Sequence, residues 1–350
     1  MTSFRIAVLG GDGIGPEVIA EGVKVLRAVE GRLRQVRFDL EELSAGAGEY
    51  LRSGDAMPQA VFERCRACDA ILLGAMGLPN VRRANGTEIA PQLDLRERLE
   101  LYAGVRPVRL LDAGHSPLKG YGAGEIDLVI FRENTEGMFA SRLDPHVAGE
   151  DPVCDTIRIS RRGSERLFRA AFREATRRRG LVTLVDKSNV LPSMAFFRRI
   201  FDEIAAEFPQ VCAEKIYVDA AALYLVQRPH TFDVIVTENL FGDILSDLAA
   251  GLVGGMGMAP SGDIGDRHAL FQPSHGSAPD IAGRGIANPV AAILSVAMML
   301  EWLGHPETKR GSAMVRTAVE RVCGDGRYRT RDLGGALGSG EMGDRIAAEL

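Results

Sequence analysis

The segment from Phe232 to Leu248, FDVIVTENLFGDILSDL, constrains the fold more than any other part of the 350-residue chain. It opens with an apolar, β-branched run that is typical of a buried strand. A turn containing Asn and Gly follows, and helical periodicity begins near Asp243. In α/β folds ligands bind beyond the carboxyl ends of the strands. The segment therefore predicts an α/β fold with a functional site near Asp243.

Asp243 and Asp247 are four residues apart, so on a helix their carboxylates lie on one face. Two stacked carboxylates repel unless water screens them or a cation lies between them. Oxygen ligands of this kind suit Mg²⁺ or Mn²⁺. An exposed acidic helix face is the alternative for an isolated pair. The apolar neighbours Ile244, Leu245 and Leu248, and the preceding buried strand, favour the metal site.

Two longer motifs carry a family resemblance: FGDILSDLAAGLVGG, and HGSAPDIAGRGIANP from His275 to Pro289. Both resemble motifs of the β-decarboxylating dehydrogenases, which include isopropylmalate, isocitrate, tartrate and homoisocitrate dehydrogenases. With further matches at the N-terminus and centre, the resemblance spans essentially the whole chain. It implies an α/β, isopropylmalate/isocitrate dehydrogenase-like two-lobe fold. Residues 1–99 and 253–350 would form the cofactor-binding lobe, and residues 100–252 the substrate and dimerisation lobe.

The N-terminal motif GDGIGPEV invites comparison with the Rossmann dinucleotide fingerprint. Pro16 stands where G-x-G-x-x-G needs its third glycine, so the spacing fails. Proline instead suits the first turn of the helix that follows. The motif predicts a tight strand-to-helix turn near the cofactor, and the fold is not expected to be a Rossmann fold.

Three arginines stand at the ends of predicted elements. Arg96 and Arg106 flank the carboxyl half of a helix that begins near Pro91, and Arg132 ends a strand at 126–134. The planar guanidinium fork binds carboxylates in a bidentate manner, so the set indicates a carboxylate clamp. The resemblance implies that these arginines hold the α-carboxylate of the substrate and the carboxylate that leaves as CO₂.

Lys187 follows the apolar strand LVTLV, and Asp219 follows the strand EKIYV. A lone lysine is usually a surface residue. The resemblance implies more: Lys187 enters the active site of the other subunit, and Asp219 joins Asp243 and Asp247 as the third metal ligand from across a homodimer. Lys187 would then assist removal of the substrate's hydroxyl proton through a relay that includes Asp219.

The segment His275–Pro289 contains glycines that leave room for backbone approach to a nucleotide; a plain surface loop is the alternative. The resemblance implies that NAD binds here, with Asp280 on the adenosine ribose. An acid at this position rejects the 2′-phosphate of NADP, so the pair Asp280–Ile281 points to NAD. The cofactor-binding residues implied by the resemblance are His275, Gly276, Ser277, Ala278, Asp280, Ile281, Asn288 and, beside the lysine, Asn189.

Phe139 departs from the family pattern. In the motif RENTEGMF it stands where the family has a tyrosine that protonates C3 of the enol. Phenylalanine has no proton to donate. Water or another side chain, such as Tyr102 or Tyr224, then replaces it, or protonation is slow, or the chemistry stops earlier.

The resemblance implies that the residues preceding Arg96 recognise the group on C3 of the substrate. Ile89, Leu93 and Val190 favour an apolar group, whereas Gln92 offers a hydrogen bond. Among the candidate substrates we therefore rank a 3-isopropylmalate-like acid first, tartrate or D-malate next, and isocitrate last. A non-catalytic ligand-binding subunit of the same fold is the rival hypothesis. Phe139 favours that rival, and the intact lysine, aspartates and arginines oppose it.

The net charge of −5 argues against nucleic acid or an anionic membrane as a partner. There is no signal-peptide pattern and no apolar run long enough to span a membrane. The five cysteines are odd in number and scattered, as expected of reduced thiols in the cytoplasm. The pair Cys65–Cys68 is expected to be structural.

Three local predictions complete the analysis. Residues 141–160 are expected to be loop-like, with a strand at 156–160, and the resemblance implies that this region forms an arm that pairs with the other subunit. The arginines at 177–179 are expected to form a solvated face without a role. The glycine-rich segment 251–266 is expected to be a loop.

Overall fold

The computed structural model of the protein describes residues 1–144 and 151–350, and within these ranges the chain forms ten strands and eleven α-helices. The strands are β1 (Thr2–Leu9), β2 (Val36–Leu43), β3 (Ala70–Leu73), β4 (Ala103–Arg109), β5 (Asp127–Glu133), β6 (Leu181–Asp186), β7 (Cys212–Tyr217), β8 (Val234–Thr237), β9 (Pro260–Ile264) and β10 (Ala269–Pro273). The helices are α1 (Gly15–Glu30), α2 (Ala47–Ser53), α3 (Gln59–Arg66), α4 (Pro91–Arg98), α5 (Arg161–Ala175), α6 (Pro192–Ala205), α7 (Val218–Gln227), α8 (Asn239–Gly251), α9 (Val290–Trp302), α10 (Pro306–Cys323) and α11 (Ser339–Ala348).

All ten strands belong to one mixed sheet with the order β2-β1-β3-β10-β9-β4-β5-β8-β6-β7. The outer strands pair in parallel on both sides. At the centre, β9 is antiparallel to both β10 and β4, and β4 is antiparallel to β5. The chain therefore reverses direction repeatedly in the middle of the sheet, where the polar residues of the site collect.

Helices cover both faces of the sheet and produce four buried apolar clusters. Two clusters lie around β1, β3 and β10, one of them against α1, α9 and α10. The other two lie around β5, β6 and β8, against α5 and α6 on one face and α7 and α8 on the other. Most of α9 is buried, so it forms a core helix against the sheet. The boundaries of the two predicted lobes stay a prediction, because the sheet runs continuously from β9 into β4.

Proline fixes the beginning of several helices, including two that position the site. Proline occupies the first turn of α1, α4, α6 and α10, where its missing N–H costs nothing and its φ angle already matches the helix. In α4 this start buries Leu95 and Arg96. The sequence-based predictions of β5, β6, β8, α4 and α8 are confirmed.

Three local predictions were wrong. Residues 156–160 form no strand beyond an isolated bridge between Arg158 and Gly137, and part of the predicted arm, 145–150, lies outside the described residues. The glycine-rich segment 251–266 contains the central strand β9. Arg178 is not merely solvated: it donates to Asp233 and Asp127, 2.8 and 2.6 Å away, and so ties the end of α5 to β8 and β5.

None of the helices in the described part of the chain is long and apolar enough to cross a membrane. All five cysteines lie within the described residues, and none forms a disulfide. Cys65 and Cys68 are buried, and burial raises the pKa of Cys65 to about 12 and that of Cys68 to about 11. These thiols pack as apolar side chains, in agreement with their structural assignment.

Candidate active site

The three predicted arginines converge on one cavity of about 930 Å³ at the centre of the sheet. Arg96 comes from α4, Arg106 from β4 and Arg132 from β5, and each is at most 7% exposed. Burial, together with the neighbouring Arg96, lowers the pKa of Arg132 to about 10. Burial also lowers the pKa of Arg106. A cavity lined by three desolvated cations is suited to a substrate with more than one carboxylate.

A buried acid that sequence reasoning missed holds two of these arginines. Asp263 on β9 accepts a hydrogen bond from Nε of Arg96 at 2.8 Å and lies 3.9 Å from Nη2 of Arg106. Burial acts to raise the pKa of Asp263, but the two arginines outweigh it and hold that pKa below its ordinary value. The alternation of polar residues in SGDIG was a possible signal, but the glycines made the segment look like a loop.

Asp243 and Asp247 line the same cavity from consecutive turns of α8. Asp243 bonds Arg132, so a predicted metal ligand and a predicted substrate ligand are paired in this structure. Burial, and after it the charge of Asp243, raises the pKa of the Asp247 carboxyl. Two carboxylates on one helix face, with Asp243 half-buried and Asp247 exposed, are suited to hold a cation.

Lys187 and Asp219 lie outside this cavity. Their side chains pair with each other at 2.5 Å, and this contact with Lys187 lowers the pKa of Asp219. The Asp219 side chain is 68% exposed. Within the described residues no cluster of three or more possible metal ligands forms. A single chain therefore does not bring Asp219 together with Asp243 and Asp247.

The residues predicted to recognise the C3 group are divided in the same way. Gln92 and Leu93 line the cavity. Ile89 is buried and faces a neighbouring cavity of about 610 Å³, and Val190 is 64% exposed on the loop after Lys187. Only one of the three apolar residues thus reaches the site within this chain. The Oε1 atom of Gln92 is buried without a hydrogen-bond partner among the described residues.

Phe139 lines the cavity, and its ring lies 5.0 Å from the guanidinium carbon of Arg132. This distance is within the range of a cation–π contact. Neither of the suggested replacement tyrosines lines the cavity of the described chain. The Tyr102 hydroxyl donates to Asp266 at 3.0 Å, and Arg228 stacks on the ring of Tyr224.

The segment His275–Pro289 begins at the cavity and continues along the outside of the sheet. His275 and Gly276 line the cavity, and Nε2 of His275 is buried without a partner among the described residues. Ser277 donates to the carbonyl of Gly77 at 2.5 Å, and Asn288 donates to Asp332 at 3.0 Å. The remaining predicted cofactor residues differ in exposure: Ala278 and Ile281 are partly buried against the core, Asp280 is exposed, and Asn189 is exposed beside Lys187.

The N-terminal turn supports this segment directly. A side chain at Gly13 would overlap the carbonyl oxygen of Ser277, and Ile14 N–H donates to the same oxygen at 2.8 Å. Glu17 accepts from the N–H groups of Gly285 and Ala287. Glu17 was not predicted as a site residue, although its place in the first turn of α1 indicated that it faces the turn.

Comparisons with known proteins show the family to which the chain belongs. The family model described as isocitrate/isopropylmalate dehydrogenase matches residues 5–346. A 3-isopropylmalate dehydrogenase of Moorella thermoacetica is 45% identical over 357 residues, covering 99% of both chains. The chain belongs to the isocitrate/isopropylmalate dehydrogenase family.

Other members of this family are similar along nearly their whole length. An isocitrate/homoisocitrate dehydrogenase of Thermus thermophilus is 47% identical over 335 residues, covering 95% of this chain and 94% of its own. The crystal structure of an isocitrate dehydrogenase from Methylococcus capsulatus superposes with a TM-score of 0.88 at 38% identity, covering 99% of both chains. The predicted family and fold class are confirmed, and the chain is a dehydrogenase of the type that oxidises and decarboxylates a 3-substituted malate.

Proposed function

We propose that this enzyme oxidises a 2-hydroxy acid with a carboxylate on C3, using NAD⁺ and a divalent cation, Mg²⁺ or Mn²⁺, and that CO₂ is lost from C3. The observation that carries the proposal is the convergence of Arg96, Arg106 and Arg132 with Asp243 and Asp247 in one cavity. Three cations match the charge of a dicarboxylate. The two carboxylates on one face of α8 match the ligand preference of a hard cation.

The residues present fit both implied groups. Asp243 and Asp247, with Asp219 of the other subunit, would hold the cation, and their oxygen donors match the preference of Mg²⁺ and Mn²⁺. The cation would polarise the oxygen on C2 and stabilise negative charge that develops there. The buried Nε2 of His275, which has no partner among the described residues, and the open space beside Gly283 and Gly285 fit a nucleotide that accepts the hydride.

The chain's own side chains would act in a defined order. The three arginines bind and orient the substrate carboxylates, and their burial keeps competing water out of the clamp. Lys187, entering from the other subunit, assists removal of the hydroxyl proton through a relay that includes Asp219, to which it is bonded. Loss of CO₂ then leaves an enol, and Phe139 at the cavity wall leaves water as the proton source for C3.

We propose a homodimer with shared active sites, which the position of Lys187 and Asp219 outside the cavity supports. Exposed apolar side chains lie on the segments that carry the candidate residues: Val190, Leu223 and Ile244 are each more than half exposed. Leu223 lies on α7 with Asp219, and Ile244 lies on α8 between the two metal-ligand candidates. An exposed apolar patch of this kind indicates a protein interface. We also propose a cytoplasmic location, where unpaired thiols persist.

A 3-isopropylmalate-like acid is the preferred substrate candidate, because Leu93 lines the cavity and a 3-isopropylmalate dehydrogenase is among the similar proteins. A second candidate class has a polar C3 group, as in tartrate or isocitrate. One observation favours it: the buried Oε1 of Gln92 has no donor among the described residues, and a hydroxyl or a bound water would satisfy it.

The test is NADH formation, followed by absorbance, with Mn²⁺ and each of 3-isopropylmalate, D-malate, tartrate, isocitrate and homoisocitrate. Parallel reactions without metal, with a chelator and with NADP⁺ serve as controls. Turnover with one acid that needs both metal and NAD⁺ supports the proposal. Binding of these acids without turnover of any of them would favour a non-catalytic subunit.

A further inference from the structure

Asp263 is fully buried at the centre of the sheet, although it is an acid. It lies on β9 between β4 and β10, opposite Gly104 on one side and Leu270 on the other. It does not line the cavity, so it is not placed to touch a substrate or a metal. A buried carboxylate is costly unless its neighbours compensate its charge and its hydrogen bonds. Its function must therefore be sought in the groups that surround it.

Four polar side chains converge on this carboxylate: three come from α4, β4 and β10, and the fourth follows β5. Oδ2 accepts from Nε of Arg96 at 2.8 Å and from Nε2 of Gln272 at 3.0 Å. Oδ1 accepts from Nδ2 of Asn134 at 2.8 Å, and Nη2 of Arg106 is 3.9 Å away. The glycine opposite makes room for this arrangement, because a Cβ at Gly104 would lie 2.7 Å from Oδ1 of Asn134.

The contact with Arg96 has a specific geometric consequence. Asp263 uses the Nε–H of Arg96, which is one of five donors on a rigid guanidinium. A bond to Nε fixes the plane of the group and leaves the two terminal nitrogens available for a second carboxylate. Arg106 is fixed similarly, since Nη1 donates to Ser274 at 2.8 Å while Nη2 lies near Asp263.

We propose that Asp263 is a positioning residue for substrate recognition: it orients Arg96 and Arg106 so that their remaining donors meet the substrate carboxylates. Asn134 and Gln272 in turn hold Asp263. This inference rests on the proposed function of the arginines and adds the residue that prepares them before the substrate arrives.

A purely electrostatic view of Asp263 predicts the opposite effect on binding. An anion near the clamp weakens the positive potential that an anionic substrate meets, so its removal alone would tighten binding and lower KM. Loss of orientation would weaken binding and raise KM. The sign of the change in KM therefore separates the two roles.

The experiment compares Asp263→Asn with Asp233→Asn in the full-length enzyme on its best substrate. Asp233 is a matched control, because it is also fully buried and bonded to an arginine, Arg178 at 2.8 Å, but lies at the opposite end of β8 from the site. For Asp263→Asn we expect KM for the hydroxy acid to rise on the order of tenfold or more, with a smaller fall in kcat. For Asp233→Asn we expect a lower melting temperature with KM unchanged.

Two further variants keep the test decisive if Asp263→Asn folds poorly. Asn134→Ala leaves the charge of Asp263 in place but removes one of its hydrogen bonds, so it should raise KM less and in the same direction. Asp263→Glu keeps the charge and should recover part of the lost affinity. The dissociation constant of the hydroxy acid, measured by calorimetry without NAD⁺, should follow the same order as KM.

An unchanged or lower KM in folded Asp263→Asn, or the same KM shift in Asp233→Asn, would overturn the inference. The proposed function fails in a different way, namely by absence of turnover in the wild type. In that case the calorimetric comparison still tests whether Asp263 prepares the arginines for a carboxylate ligand.

Discussion

The two halves of the candidate site differ in how they are held. The arginine half is complete within one chain: Arg132 is 2% exposed, and Asp263 fixes Arg96 from behind. The lysine half, Lys187 and Asp219, lies outside the cavity: Lys187 is half-buried, Asp219 is 68% exposed, and their side chains pair with each other. The residues proposed to orient the substrate thus lie in the core of the chain, whereas the proposed proton-transfer pair lies near the surface.

This difference has a physical reason. Substrate carboxylates are best held by desolvated, immobile cations, and only a core position provides them. A lysine that must change its protonation state benefits from a less buried position, because burial disfavours its charged form. If two subunits share their sites, chemistry proceeds only in the assembled dimer, while binding of the acid depends chiefly on each chain's own arginines.

The largest effect is expected from replacing the lysine of the lysine half. Lys187→Met should lower kcat by at least about 10²–10⁴-fold, the range for loss of a positioned acid–base group, while the hydroxy acid still binds. Lys215→Met is a matched control, because Lys215 also pairs with an aspartate at 2.5 Å but lies on β7, away from the cavity. Kinetics and calorimetry together check the prediction. Equal activity of both variants would show that Lys187 has no role in proton transfer.

Mixing two inactive variants tests whether the halves come from different subunits. Lys187→Met removes the lysine of the lysine half, and Asp247→Asn alters an aspartate of the cavity that also contains the arginine half. After unfolding and refolding together, half of the dimers should be hybrids with one intact site each, so about a quarter of wild-type activity should return. If each chain instead supplies its own lysine, the mixture will stay as inactive as its components.

Asp247→Asn alone should have the next largest effect. It keeps the shape of the side chain but removes an anionic ligand, so the Mn²⁺ concentration needed for half-maximal activity should rise, and kcat at modest Mn²⁺ should fall. The control is Asp202→Asn on α6, an aspartate paired with a lysine far from the cavity. A wild-type response to Mn²⁺ in Asp247→Asn would mean that the metal assignment is wrong.

The cofactor preference should respond more moderately. Asp280 is exposed in the segment after the cavity, and its charge should repel the 2′-phosphate of NADP⁺. The wild type should therefore prefer NAD⁺, and Asp280→Lys should reduce the ratio of kcat/KM values by on the order of tenfold. Asp39→Lys, the same change at an exposed position on β2, should leave the ratio unchanged. A wild type that prefers NADP⁺ would refute the assignment.

Much of the fold and of the arginine half was predictable from local sequence patterns. Asp243 and Asp247 follow an apolar strand at helical spacing, and Arg96 and Arg132 stand at the ends of clear elements. These signals are local, because strand and helix periodicity decide on their own which way a side chain points. The family resemblance then supplied the expected roles of the lysine half, Lys187 and Asp219, which no local pattern predicts.

The residues that were missed depend on contacts distant in sequence. Asp263 meets Arg96 across 167 positions, and Arg178 meets Asp233 across 55. β9 was missed because its glycine and proline are typical of loops, whereas in the sheet centre strand pairing on both sides outweighs that local preference. Ile89 was expected to reach the substrate, but sequence spacing alone did not reveal that it faces the neighbouring cavity.

The smallest effect is expected from Phe139→Tyr. This variant tests whether the site lacks an acid that protonates C3 of the enol. The ring lies in the cavity wall 5.0 Å from Arg132, so a tyrosine there would present its hydroxyl close to the clamp. Neither Tyr102 nor Tyr224 lines the cavity within the described chain, so we propose water as the proton source in the wild type. We expect less than a tenfold rise in turnover, because an enol can also take its proton from water.

The measurement is the rate of NADH formation and the yield of CO₂ for wild type and Phe139→Tyr on the best substrate. If protonation of C3 limits the wild type, the variant should release product faster and with better stereocontrol at C3. Phe168→Tyr, which alters a buried ring in the α5–α6 cluster, controls for a general effect of an added hydroxyl. Equal rates and stoichiometric CO₂ in wild type and Phe139→Tyr would show that Phe139 is a packing residue beside Arg132, and that the arginine half needs no acid at this position.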